Sequence, residues 1–158
     1  DDVCFARGPE ELYAWVMERT GATLHRPEIG KPVLLGGADA VLDCVGSARS
    51  LDDALRLARP RGLVVVAGMP GIPSGIDWTG MWYKELRVGG SYAYGWEEIA
   101  GRRVRTMAEA LTHISASKGK LKPLVNRSFL LSDYRAALDA AFNAGRSGAY
   151  KVVFNLKG

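Results

Sequence analysis

A chain of 158 residues with 47% hydrophobic content is long enough to bury one sizeable core, and its apolar runs fall far short of the roughly 18 residues of a membrane-spanning helix. The net charge of +4 would suit nucleic acid only if the basic residues clustered. They are scattered, and the one cluster, Arg102, Arg103 and Arg105, reads as a solvated helix face. Neither a nucleic-acid nor a membrane partner is expected. With no basic-then-apolar leader, the expected compartment is cytoplasmic. The first residue is Asp rather than Met, which suggests a chain that begins partway through something longer.

In chain order, residues 2–7 read as a short strand. Gly8-Pro9-Glu10-Glu11 then starts a helix, with proline near its first position and acids in its first turn. Leu12, Trp15 and Val16 share one face of that helix, which ends near Gly21. Residues 23–37 carry Pro27, Gly30, Pro32 and Gly36 and read as an irregular connection whose Val33-Leu34-Leu35 run plugs into neighbouring structure.

The stretch 37–71 organises the chain. Ala40 to Gly46 and Gly62 to Gly68 are near-continuous apolar runs, as in parallel strands buried on both faces. Between them a helix is expected from Ser50-Leu51-Asp52-Asp53, close to a capping box, with Leu51, Ala54, Leu55 and Ala58 as its buried stripe and Pro60 and Gly62 ending it. Strand, helix and strand in roughly 30 residues make one βαβ unit. Ligands of such sheets sit beyond the carboxyl ends of the strands, which makes Cys44-Val45-Gly46 and Ala67-Gly68-Met69 the candidate site.

After a proline- and glycine-rich loop, the aromatic segment 78–83 is consistent with loop packing or with covering a ligand. Residues 85–95 read as a strand running into a glycine-rich end that would let a ligand approach the backbone. A long helix is expected over 97–117, with Val104, Met107, Leu111 and Ile114 on one side. A strand over 124–130 follows, then a helix from Ser132 bearing Tyr134, Ala137, Leu138, Ala141 and Phe142, and a last strand over 150–154. Cys4 and Cys44 lie in apolar runs without a CxxC spacing and read as inert core thiols. His25 and His113 stand alone, with no partner at metal-ligand spacing.

Four pieces, in this order, carry a resemblance: Ala38-Asp39-Ala40-Val41-Leu42-Asp43-Cys44-Val45-Gly46-Ser47; the run from Leu57 to Gly68; Lys84-Glu85-Leu86-Arg87-Val88-Gly89-Gly90-Ser91; and the closing run from Gly145 to Val153. Together they resemble the C-terminal part of the medium-chain dehydrogenase/reductase superfamily, of the zinc-type alcohol and threonine dehydrogenase kind. The resemblance implies an α/β fold, a partial Rossmann domain (a doubly wound parallel sheet) lacking its first strands over residues 1–93. Residues 94–158 would be the C-terminal strand-helix-strand that returns to a mostly absent catalytic domain. Asp1-Asp2-Val3 would be the tail of the family's third strand, and the strand at 40–44 would have an unpaired edge, leaving the piece poorly stable alone. The glycine fingerprint, the NAD/NADP-selecting strand end and the zinc ligands of the family have no counterpart in the sequence.

By the same resemblance, Cys44, Val45 and Gly46 would line the ribose and nicotinamide of NAD or NADP. Ala67, Ser91 and Ala93 would offer main-chain groups to the carboxamide, with Tyr92 in the same strand end, and Gly68 and Met69 would lie beside the ring. Lys151 would reach the pyrophosphate, although a solvated lysine on an edge strand explains it equally. No catalytic residue and no metal ligand is assigned. The implied activity is hydride transfer between nicotinamide and an alcohol, aldehyde or ketone, with zinc expected in the full-length enzyme, itself a dimer or tetramer. The alternative is a non-catalytic nucleotide-binding or dimerisation module of the same fold.

Overall fold

The computed structural model describes residues 2–156 and divides into two compact units, one up to Ala93 and one from Tyr94. The first begins with helix α1 (Pro9–Thr20), whose proline occupies the first turn and whose C-cap, Gly21, turns left-handed at φ 68°. Its buried side chains are Tyr13 and Val16; Leu12 and Trp15 are only partly buried. Strands β1 (Thr23–His25) and β2 (Val33–Leu35) follow as an antiparallel pair. The connection is therefore a hairpin and not irregular chain. Leu34 does plug in, fully buried with Tyr13, Val16 and Leu57.

The central sheet contains β3 (Ala38–Asp43), β4 (Ala58–Val66) and β5 (Arg87–Gly90), all parallel and in that order. Val41, Val64 and Val88 stand in register, one step before Leu42, Val65 and Gly89. Helix α2 (Ala48–Leu57) crosses from β3 to β4 and buries Ala54 and Leu55 against Val64. The expected stripe of Leu51, Ala54, Leu55 and Ala58 is buried throughout. Leu42, whose side chain alternates to the opposite face from Val41, is 64% exposed. The sheet is thus covered on one face, and β3 forms its edge among the described residues. A short helix, α3 (Thr79–Tyr83), precedes β5 and places Met81 against the α2 cluster, which Ile76 of the preceding loop also contacts.

The second unit opens with a hairpin, β6 (Trp96–Ile99) and β7 (Arg102–Arg105), turned by Ala100 and Gly101, both at positive φ. The long helix expected over 97–117 is therefore shorter: α4 spans Thr106–Ala116. Arg103 and Arg105 lie over the Trp96 ring on the hairpin and not on a helix face. Strands β8 (Val125–Leu130) and β9 (Lys151–Asn155) pair in parallel, joined through α5 (Tyr134–Phe142) and the single turn α6 (Ala144–Ser147). Ala137 and Ala149 are the buried residues of this unit among the described residues.

Three other expectations need correction. Residues 2–6 form no strand, so the proposed third-strand tail is not seen there, and Asp1 lies outside the described residues. The α2 cap is Ser47, not Ser50: Ser47 and Ser50 exchange side-chain-to-backbone bonds of 3.0 Å each in a complete capping box. Cys44 is exposed, because the chain has left β3 at Asp43, while Cys4 is half-buried; neither is a core thiol. No described helix is long and apolar enough to cross a membrane.

Candidate functional site

The carboxyl ends of β3, β4 and β5 are brought side by side, and one residue that the motif reading passed over holds them. Asp43 ends β3 and is 4% exposed. Its Oδ1 accepts the backbone N–H of Val45 and of Gly46, each at 3.0 Å, an Asx-type turn that folds the chain back over the strand end. Its carbonyl oxygen accepts the N–H groups of Ala67 at 2.9 Å and Gly68 at 2.8 Å. One aspartate therefore ties the turn after β3 to the turn after β4. Its other oxygen, Oδ2, is buried without a hydrogen-bond partner among the described residues. The signal available in the sequence was the position itself, an aspartate two and three residues ahead of the amides of a strand-end turn.

The glycines matter here through close approach. A Cβ on Gly68 would press on the backbone of Val45 and Gly46, and one on Gly46 (φ 73°) would come within 2.9 Å of Pro70 N. The turns can lie against each other only as glycines. Beyond them Val45, Met69 and Tyr92 are 71%, 88% and 90% exposed and form an apolar rim at the end of the sheet. Ser91 N–H donates to Val66 O at 2.9 Å and extends the β4–β5 ladder by one step, while Ala93 is exposed just beyond. The N–H groups of Ala67, Gly68 and Ser91 are thus committed inside the unit. The carbonyls of Ala67 and Ser91 and the amide of Ala93 are what this edge can offer a ligand. The helix α2 starts here too, its N-terminal amides partly satisfied by the Ser47 cap.

The structure brings nine of the ten expected site residues together: Cys44, Val45, Gly46, Ala67, Gly68, Met69, Ser91, Tyr92 and Ala93. Lys151 belongs to the second unit, at the start of β9, exposed and in register with Val125 of β8.

Residues 12–110 match the family described as zinc-binding dehydrogenase. The chain belongs to that family. Among curated relatives, the candidate D-xylulose reductase of Rhizobium meliloti is 36% identical over 108 residues, covering 68% of this chain and 29% of the relative. An alcohol dehydrogenase of Thermotoga maritima superposes with a TM-score of 0.66 at 21% identity over 93% of this chain and 34% of its own, a likeness of fold. A candidate zinc-binding dehydrogenase of Sinorhizobium meliloti, solved with NADP bound, reaches a TM-score of 0.54 at 25% identity over 75% of this chain and 32% of its own. The chain spans about a third of the length of the proteins it matches. The Rossmann-type character of the parallel sheet follows from these likenesses. No cluster of three or more His, Cys, Asp or Glu side chains suited to a metal occurs among the described residues, so they do not fit a zinc site.

Proposed function

We propose that this chain forms the nicotinamide side of the cleft in an NAD(P)-dependent oxidoreductase that moves hydride between the cofactor and a small alcohol, aldehyde or ketone. The observation that supports this most is the joined strand end. In a zinc-binding dehydrogenase chain, two glycine turns are held backbone to backbone by Asp43 beneath an exposed apolar rim. A flat heteroaromatic ring needs such a surface: close backbone approach on one side, apolar contact along its face and a few unsatisfied main-chain groups at its edge.

When bound, the nicotinamide supplies the hydride donor or acceptor. Val45 and Met69 would shield it from water, and Tyr92 would close the rim. The carbonyls of Ala67 and Ser91 would accept from the carboxamide nitrogen, and the Ala93 amide would donate to its oxygen. Cys44 and Gly46 would border the adjoining ribose. Lys151 is assigned the diphosphate, where an ammonium gains a charge-assisted hydrogen bond. Residues 94–158 are read as the segment returning to the catalytic domain. Zinc, the proton relay and the substrate pocket are assigned to parts of the full-length enzyme other than this chain, and so is its assembly into dimers or tetramers.

Isothermal titration of the chain with NADH and NADPH tests the reading. Binding that is lost in Val45→Asp and in Gly68→Ala, with helical content retained, is the expected result. Binding unchanged by both substitutions would remove the site from the strand ends.

A further inference from the structure

The hairpin of residues 23–35, which the cofactor reading leaves without a role, closes a cavity of about 550 Å³ against α1 and α2. That size falls among ordinary small-molecule pockets. Its floor is apolar: Ala14 and Met17 from α1, Leu24 from β1 and Pro32 ahead of β2. Its charged groups are Glu10 from α1, Arg49, Asp52 and Asp53 from α2, and Arg26 and Lys31 from the hairpin. Asp53 of α2 has a largely shielded side chain, 17% exposed, whose Oδ1 accepts the Tyr13 hydroxyl at 3.3 Å. Its Oδ2 lies 4.0 Å from the Arg49 guanidinium, longer than a direct hydrogen bond, which leaves it able to accept from a donor. Burial pushes the Asp53 carboxyl pKa up despite the Tyr13 hydroxyl and the Arg49 and Arg56 guanidiniums, which pull it down.

The neighbouring carboxylate is different. Asp52 is saturated by Lys31, by two nitrogens of Arg56 and by the Asp77 amide, so it has nothing to offer a ligand. Opposite Asp53, the hairpin contributes two cations. Arg26 makes no hydrogen bond or ion pair among the described residues, and Lys31 spends one of its three donors on Asp52. The helices thus bring the carboxylates of Asp53 and Glu10 with the Arg49 guanidinium, the hairpin brings the donors of Arg26 and Lys31, and an apolar floor lies in the same cavity.

We propose that this cavity binds a small zwitterion of the amino-acid type, its ammonium on Asp53, its carboxylate on Arg26 and Lys31, and its apolar side chain on Met17 and Leu24. The site is separate in residues from the strand ends, and the proposal does not depend on the cofactor reading.

Titration of the whole chain with L-leucine and with leucyl-leucine, against isoamylamine and 4-methylvalerate as probes that each carry one of the two charges, tests it. Saturable binding of a zwitterion, at least tenfold tighter than of either single-charge probe, is expected. Asp53→Asn keeps an oxygen for the Tyr13 hydroxyl and removes the charge, and Arg26→Ala removes an exposed side chain without a partner. Each should weaken zwitterion binding at least tenfold while the melting temperature and NADH binding stay as in the parent. Equal affinity for 4-methylvalerate, no binding of either zwitterion, or binding indifferent to both substitutions would overturn the proposal. Because NADH is titrated on the same samples, failure here and failure of the cofactor reading are told apart.

Discussion

Lys84 Nζ lies 2.6 Å from the carbonyl oxygen of Arg56 and 2.7 Å from that of Ala58, with the lysine only 2% exposed. The ammonium caps the carbonyls that α2 leaves unpaired at its C-terminal end, where a cation is favoured by the helix dipole. Burial, with help from the nearby Arg56 guanidinium, nevertheless lowers its pKa from 10.5 to about 8. The folded state therefore releases this proton before the unfolded state does. Below pH 8 both states hold it and the burial cost is fully present; above 8 the unfolded chain binds more protons, and stability rises with pH. The window closes near pH 10, because burial and Asp53 raise the Tyr13 pKa and that group then pulls stability down. Urea melts between pH 7.5 and 10 should show a gain on the order of 2 kcal/mol. Lys84→Met should flatten the profile; a parent profile that is already flat would contradict the assignment.

A second expectation concerns Asp52. Both it and Arg56 are buried, and their contacts join α2 to the hairpin through Pro32 O at 2.9 Å and to the loop before α3 through Asp77 at 3.1 Å. Removing Asp52 takes away the main partner of the buried Arg56, leaving it only Asp77 and the Pro32 carbonyl, so Asp52→Ala should cost about 3 kcal/mol. Burial alone would raise the Asp52 pKa, but hydrogen bonds from Arg56 and Lys31 outweigh it and the net shift is downward. Its stabilisation is complete above the ordinary pKa of 3.8 and fades as pH falls through the lowered one. In acid titrations followed by circular dichroism, the gap between parent and Asp52→Ala should close only at the acid end.

Glycines that look alike in sequence should separate sharply. Gly68→Ala forces a Cβ onto backbone that cannot swing away, at about 1–3 kcal/mol, whereas a Cβ on Gly89 meets nothing within 4 Å. Gly89→Ala should stay within about 0.5 kcal/mol of the parent. Thermal melts of the two variants side by side decide it, and equal losses would mean that the turns after β3 and β4 can part.

Where the apolar pattern was dense, the fold was legible. The parallel strands through Val41 and Val64 and the stripe of Leu51, Ala54 and Leu55 followed from those runs, but the runs point to strands buried on both faces, whereas the sheet is covered on one and leaves Leu42 exposed. The positions of the nine residues expected at the strand ends came with them. Trp96 to Arg105 was not legible, because Glu97, Glu98 and Val104 fit a helix as well as a hairpin. The deciding features are non-local in pattern: a two-residue turn at positive φ through Ala100-Gly101, and arginines stacked across the strands on Trp96. The β1–β2 pairing was hidden in the same way, by two three-residue strands too short for a period to show. Cys44 was misread because an apolar run does not say where its strand stops. Asp43 stops it, by turning its side chain onto the next amides.

That bond gives the last expectation. Asp43→Ala leaves the Val45 and Gly46 amides without their acceptor, a loss of about 1–3 kcal/mol, and frees the turn that carries Val45. Asp43→Asn keeps one carbonyl oxygen for both amides and replaces only the unpartnered Oδ2, so it should be the milder change. Stability by urea melts should rank parent, Asn, Ala, and NADH affinity should follow the same order, since the rim is only as well placed as its turn. If Asn and Ala were equally damaging, the charge of Asp43 and not its hydrogen-bond geometry would be what holds the strand ends. If neither changed NADH affinity while Ala lowered stability, the turn would be a structural knot with no part in the cleft.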